Sequence, residues 1–205
     1  MNRIFLLSPA DCGGRRAKQV LSSTARSALA FDLRSRRGAP LGDVFAFISG
    51  LYFRGKLTYA RRFAAPPDPA VSSGIHIITT TAGLREPDTT VTAAALRGFA
   101  GGDIDPDDPA YRRPLERSAR TLAGDVGPDC DIVLLGSIAS PKYVDVLVSV
   151  FGARLRFPID FVGRGDMSRG GLLLRKAAEG VELPYVAVEG APRHGARPPK
   201  LQRLR

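Results

Sequence analysis

Apolar residues occur along this chain in short bursts separated by longer stretches of helical period. The first burst, Ile4-Phe5-Leu6-Leu7, stops at Ser8-Pro9 and predicts a buried strand followed by a loop, Ala10-Asp11-Cys12-Gly13-Gly14. Arg15 to Ala28 then carries good helix formers, with Ala17, Val20 and Leu21 on one face. Leu41 to Ile48 and Tyr52 to Phe63 predict two more helices divided by Ser49-Gly50. The β-branched segment Ile75 to Thr80 reads as a central strand that ends in Thr81-Ala82-Gly83-Leu84. Thr90 or Thr92 suits the cap of a short helix through Ala93 to Leu96, and an acidic turn follows from Asp103 to Pro109. Tyr111 to Leu122 predicts a surface helix, Asp131 to Gly136 a buried strand, and Pro141 to Phe151 a helix with proline in its first turn. Leu155 to Phe157 with Ile159 to Val162 extends again, a helix runs from about Met167 to Ala178, and Pro184 to Val188 is the last strand.

Strands alternating with helices predict an α/β fold, a three-layer α/β/α sandwich around a mainly parallel sheet of about five strands. The expected organisation is one domain over residues 1–190 and a basic, flexible tail over 191–205, where Arg193, Arg197, Lys200, Arg203 and Arg205 leave little to bury. Ligands of such sheets sit beyond the C-terminal ends of the strands. Those ends carry Ser8 to Gly14, Thr79 to Gly83, Gly136 to Ser140 and Gly163 to Gly171, four loops expected to converge on one crevice.

Charge narrows the class of ligand. The 205 residues hold 30 Lys and Arg against 20 Asp and Glu, a formal charge of +10. A basic surface gathers polyanions, although arginine with abundant alanine, glycine and proline also marks a GC-rich genome. No apolar run reaches membrane-spanning length, and Ile4 to Leu7 is too short for a secretory core, so a cytoplasmic protein is expected. Cys12 and Cys130 lie far apart and only His76 and His194 are present, so neither a disulfide framework nor a metal site is indicated.

The richest candidate loop is Phe161 to Gly171, in which Gly163, Gly165, Gly170 and Gly171 would let a ligand approach the backbone while Arg164 and Arg169 attract an anion. Ser168 adds a hydroxyl there. Asp166 and Asp11 are candidates to orient water or hold a base or sugar, or are plain turn formers. Cys12, before a helix and beside Arg15 and Arg16, has the setting of a thiolate nucleophile but lacks a histidine partner. Tyr52, Arg54, Lys56 and Tyr59 interleave rings with cations, which suits stacking on a base and pairing with phosphate; Tyr143 is a further stacking candidate. In the alternative reading the tyrosines pack on the core while the cations stay wet. No Walker A lysine, Rossmann glycine fingerprint, HExxH or GxSxG occurs, and no cofactor is called for.

Three segments read together resemble a loose group of small uncharacterised bacterial proteins. They are Gly50-Leu51-Tyr52-Phe53-Arg54-Gly55-Lys56-Leu57 leading to Tyr59 to Ala64, Thr79 to Asp88, and Leu135-Gly136 with Lys142 to Leu147. That group is distantly similar to the ribosyltransferase-associated domain of archaeosine synthase, whose fold is akin to the uracil-DNA glycosylases. The resemblance implies an α/β/α sandwich that binds a nucleobase, nucleotide or nucleic acid. The zinc cysteines of the transglycosylases and a His-Pro-Ser motif are missing from this sequence. Two functions stay open: an enzyme acting on a glycosidic bond or base, with a nucleotide-like or other anionic ligand, and a non-catalytic binder of DNA or RNA. The first expects Arg169→Ala to abolish binding with little change in melting temperature.

Overall fold

The computed structural model describes residues 1–199. In chain order the elements begin with β1 (Arg3–Leu7), α1 (Arg15–Leu21), α2 (Ala28–Arg34), β2 (Ala39–Pro40), α3 (Leu41–Ser49) and α4 (Leu51–Phe63). Next come β3 (Ile75–Ile78), β4 (Leu84–Arg85), β5 (Thr90–Val91), α5 (Ala93–Ala100), α6 (Pro109–Val126) and β6 (Asp131–Leu135). The chain continues through α7 (Val144–Phe151), β7 (Leu155–Pro158), α8 (Asp166–Glu179) and β8 (Tyr185–Ala187).

The fold is mixed α/β around a mostly parallel six-stranded sheet of order β4-β3-β1-β6-β7-β8. β1 lies parallel to β3, with Phe5 opposite Ile75, and parallel to β6, with Ile4 opposite Ile132. β7 runs parallel to β6. The edge strands β4 and β8 are antiparallel; β8 falls within the expected Pro184 to Val188 segment, and β4 is the strand added to the expected five. A separate two-stranded ribbon joins β2 to β5.

Because side chains alternate across a strand, the complete burial of Ile4, Phe5, Leu6 and Leu7 means that both faces of β1 are covered. Phe5 meets Tyr59 of α4 edge to face, with ring centroids 5.8 Å apart. α4 packs on α3 and β1 and, most extensively, on α8, whereas α6 packs on α7 and α7 on β7.

Several boundaries move from their sequence expectation for local reasons. The helix at Arg15 stops at Leu21, where Ser22 turns extended, and a second helix, α2, starts after Ser27 accepts a bond from the Ala30 amide. Thr92, not Thr90, caps α5; Thr90 is spent in β5. Pro141 precedes α7 by a turn, its carbonyl accepting from the Val144 and Asp145 amides. Ile159–Phe161 is one turn of 3-10 helix and not strand. Gly50 links α3 to α4 with φ of 63°, a conformation that an L side chain resists.

Candidate functional site

The sheet order itself places the site. From β1 the chain moves to one side, into β3, and then crosses to the other side of β1 to form β6. Loops leaving β1 and β6 therefore part from each other, and the gap between them is where ligands of open α/β sheets sit. A cavity of about 910 Å³ lies there, lined by the Ser8–Gly13 segment after β1 and by Ser137, Ser140, Lys142 and Tyr143 after β6. Thr80 after β3 and Asp166 at the start of α8 reach the same cavity, so all four strand-end loops contribute to it. Ser49 and Tyr52, and the segment Phe99 to Ile104 at the end of α5, complete the wall.

Its electrostatics differ from those the sequence suggests. Asp11, Asp103 and Asp166 line the cavity, and Lys142 is the one cationic side chain among the described residues that do so. The arginines of the Gly163–Gly171 loop serve the protein's own backbone. Arg169 donates Nε and Nη2 to the Phe161 carbonyl at 3.2 and 3.1 Å, lies over the Phe161 ring and faces Asp166 at 3.7 Å. Arg164 donates to the Asp160 carbonyl and to Ser168 Oγ. Gly163 turns the chain at φ 71° against Ala196. Gly165 begins α8 without a side-chain cap and has open space around it. Gly170 is a contact between helices, since a Cβ there would come within 2.8 Å of Tyr52 Cα. Of the whole loop only Asp166 lines the cavity.

Cys12 also lines the cavity, but burial first and Asp11 second push its thiol up to about 12. A thiolate is thus disfavoured where the helix start suggests one. Asp11 accepts the Gly13 amide at 3.0 Å in an Asx turn, and its exposed carboxylate still reaches the cavity. Arg15 and Arg54 are exposed and lie outside the lining.

The four-residue cluster on α4 separates. Tyr59 is buried, donates or accepts with Tyr185, and accepts from the Leu183 amide, so it belongs to the core. Tyr52 lines the cavity; its hydroxyl is buried without a hydrogen-bond partner of good geometry, while Arg169 lies near enough to influence its ionisation. Lys56 is 1% exposed, with Nζ 2.6 Å from the Ser8 carbonyl and 2.8 Å from Ser8 Oγ. It stands 4.6 and 4.7 Å from the ring centroids of Tyr52 and Phe53. Loss of hydration pushes its pKa down to about 7, against a smaller upward pull from Asp166. Tyr143 is fixed through its hydroxyl, which donates to the Ser137 carbonyl and accepts from the Ser137 amide.

Sequence reasoning gave no site role to Asp103, Phe99 or Lys142, and placed Ser8 at the crevice only as part of a strand-end loop. Ser8 and Asp103 each stood in a segment already marked, as strand terminator and acidic turn, and the strand-end rule was enough to raise Ser8. Phe99 and Lys142 carry no local signal. Among the described residues no cluster of His, Cys, Asp and Glu is arranged to hold a metal, and no helix is long and apolar enough to cross a membrane. Comparison with protein-family models, curated proteins and solved structures returned no match to this chain.

Proposed function

We propose that the crevice binds a nucleobase or nucleoside, held by the base edge and sugar hydroxyls and not chiefly by phosphate. One observation carries this reading: the cavity wall places three carboxylates against a single lysine. Carboxylates accept bonds from ring and exocyclic N–H groups and from hydroxyls, but repel phosphate oxygens. Tyr52, Phe99 and Tyr143 add aromatic surface on which a base can stack. The volume is that of a small-molecule site. The resemblance to the ribosyltransferase-associated domain leads to the same ligand class, with the sheet as the middle layer of a three-layer sandwich in the cytoplasm. In an enzyme acting on a glycosidic bond, Asp11 or Asp166 would orient the attacking water.

The test is a thermal-shift series with free bases, nucleosides, nucleotides and inorganic phosphate. Bases or nucleosides should stabilise by mass action, phosphate should not, and Asp103→Asn should weaken the shift about tenfold in apparent affinity, as loss of one charged hydrogen bond implies. Stabilisation by phosphate alone, or by no member of the series, overturns the reading.

A second reading has its own support. With three acids gathered in the crevice, the excess of positive charge lies elsewhere, and exposed Arg15, Arg16 and Lys18 mark one outer helix. This favours a non-catalytic DNA or RNA contact on the exterior, and filter binding at two ionic strengths tests it: binding that ignores salt, or no binding, rejects it.

A further inference from the structure

We propose that Ser8 is a nucleophile activated by Lys56, a serine–lysine dyad that cleaves or transfers an uncharged or cationic acyl group held as an ester or thioester. The inference is independent of the nucleobase reading. It starts from an oddity of packing: Lys56 is buried to 1% exposure on α4, yet both of its hydrogen-bond partners belong to one residue, Ser8. A lysine kept only to fill space is more cheaply replaced by an apolar chain, and one kept for charge is normally buried against a carboxylate. No salt bridge to Lys56 is formed among the described residues.

The geometry admits a neutral amine. An uncharged Nζ has two N–H groups and one lone pair. Lys56 Nζ lies 2.6 Å from the Ser8 carbonyl, 2.8 Å from Ser8 Oγ and 4.6 and 4.7 Å from the Tyr52 and Phe53 ring centroids. An ammonium meets these contacts by donating to both oxygens; once neutral, the amine can donate to the carbonyl while its lone pair accepts the Ser8 hydroxyl proton. In that neutral form the serine proton is aimed at its acceptor. Desolvation lowers the Lys56 pKa to about 7, which leaves a sizeable fraction of the amine unprotonated near neutral pH, as a general base needs. The charged groups that face Lys56 are Asp166 and Arg169 of α8, which oppose each other as an ion pair at 3.7 Å. Tyr52 and Tyr143 are the neighbouring phenols, both with raised pKa values from burial, so they stay neutral over the same range.

Ser8 is the side of the dyad that meets a ligand. It follows the last residue of β1, at the gap between β1 and β6, and lines the cavity from which Lys56 is screened. Gly136 keeps the approach clear, because a Cβ there would come within 2.9 Å of Ser8 Cβ and 2.8 Å of the Tyr143 hydroxyl. Tyr143 is thereby placed beside the reacting oxygen as a positioning residue, and its hydroxyl lies near enough to Ser8 to interact with it.

The step balances with water as the final acceptor. Ser8 Oγ forms a bond to the acyl carbon as its proton passes to Lys56 Nζ; the carbon–heteroatom bond then breaks and the leaving alkoxide or thiolate takes a proton from cavity water. The hydroxide so formed attacks the acyl-serine and releases the acid, and Lys56, which hydrogen-bonds only to Ser8 among the described residues, returns its proton to the freed Oγ. The acidic lining from Asp11, Asp103 and Asp166 disfavours an anionic acyl group, which sets the substrate class.

The experiment uses a neutral alkyl fluorophosphonate, which forms a stable phosphonyl ester on an activated serine with loss of fluoride. Intact-mass and peptide analysis of the whole chain should show one adduct, at Ser8, growing in with a pH midpoint near 7. Ser8→Ala should abolish it and Lys56→Met should slow it at least 100-fold. Because Lys56→Met can fail to fold, Ser8→Cys is the companion: its introduced thiol should react with iodoacetamide at neutral pH far faster than Cys12 in the same molecule. Absence of an adduct at Ser8, labelling that survives Lys56→Met in folded protein, or an alkylation rate at position 8 no higher than that of Cys12 overturns the proposal, whatever the outcome of the nucleoside series.

Discussion

At neutral pH Lys56 stands near its midpoint, and stability depends on pH as a result. Its folded pKa of about 7 lies below the ordinary lysine value of 10.5, so between those values the unfolded chain binds a proton that the folded chain releases. Stability therefore rises with pH across that window, at up to about 1.4 kcal/mol per pH unit from this one group. Tyr52, Tyr111 and Tyr143 act in the other direction: burial raises their pKa values, so unfolded tyrosines ionise first and stability falls above about pH 10. Urea midpoints at pH 7, 8 and 9 should climb, and the climb should flatten in folded Lys56→Met. Cys12 is expected to be sluggish towards iodoacetamide at pH 7, since its thiol titrates near 12. Arg169→Ala should cost about 1–3 kcal/mol in denaturant unfolding, because it removes a charged donor from the Phe161 carbonyl. That reverses the expectation, from composition alone, of an arginine free to hold an anion.

Helical elements were largely legible in the chain because periodicity reports which face is buried. Leu41–Ser49 and Leu51–Phe63 follow their apolar spacing within a residue or so. The hidden feature is how closely α4 and α8 approach. A Cβ on Gly55 would meet the Gly170 carbonyl oxygen at 2.6 Å, and one on Gly170 would meet the Leu51 carbonyl oxygen at 2.9 Å. Two glycines in different helices become one contact only when those helices are paired, so no local pattern reveals it. Gly170→Ala is expected to destabilise by about 1–3 kcal/mol through overpacking, with the unfolding slope unchanged. A stability close to that of the unaltered protein would show that the helices separate freely. Of the antiparallel edge strands, β8 falls within the expected Pro184 to Val188 segment, whereas β4, two residues long, was read only as the end of the preceding strand. So short a segment carries too few alternations to register as a period.

Across the whole molecule the charge divides: the chain carries +10, yet the cavity at the strand ends is lined by three aspartates and one lysine. Salt should therefore separate two kinds of binding. Contacts of the basic exterior with DNA or RNA should weaken steeply between 50 and 200 mM salt, on the order of 10³ for six or more phosphates, while nucleoside binding in the crevice should change little. Equal salt dependence for both ligands would mean that they share a site. The alternation of apolar bursts with helical stretches determined the α/β class and the loops at the strand ends, because burial on two faces and on one helical stripe leaves distinct periods. Only the tertiary structure decided which loop residues face the crevice. The charge of a site is set by the side chains that converge there, and convergence depends on strand order. Pairing of Ser8 with Lys56, separated by 48 positions, follows from α4 lying on β1. The same packing removed from solvent a cation that the sequence offers as a phosphate ligand or a wet surface charge.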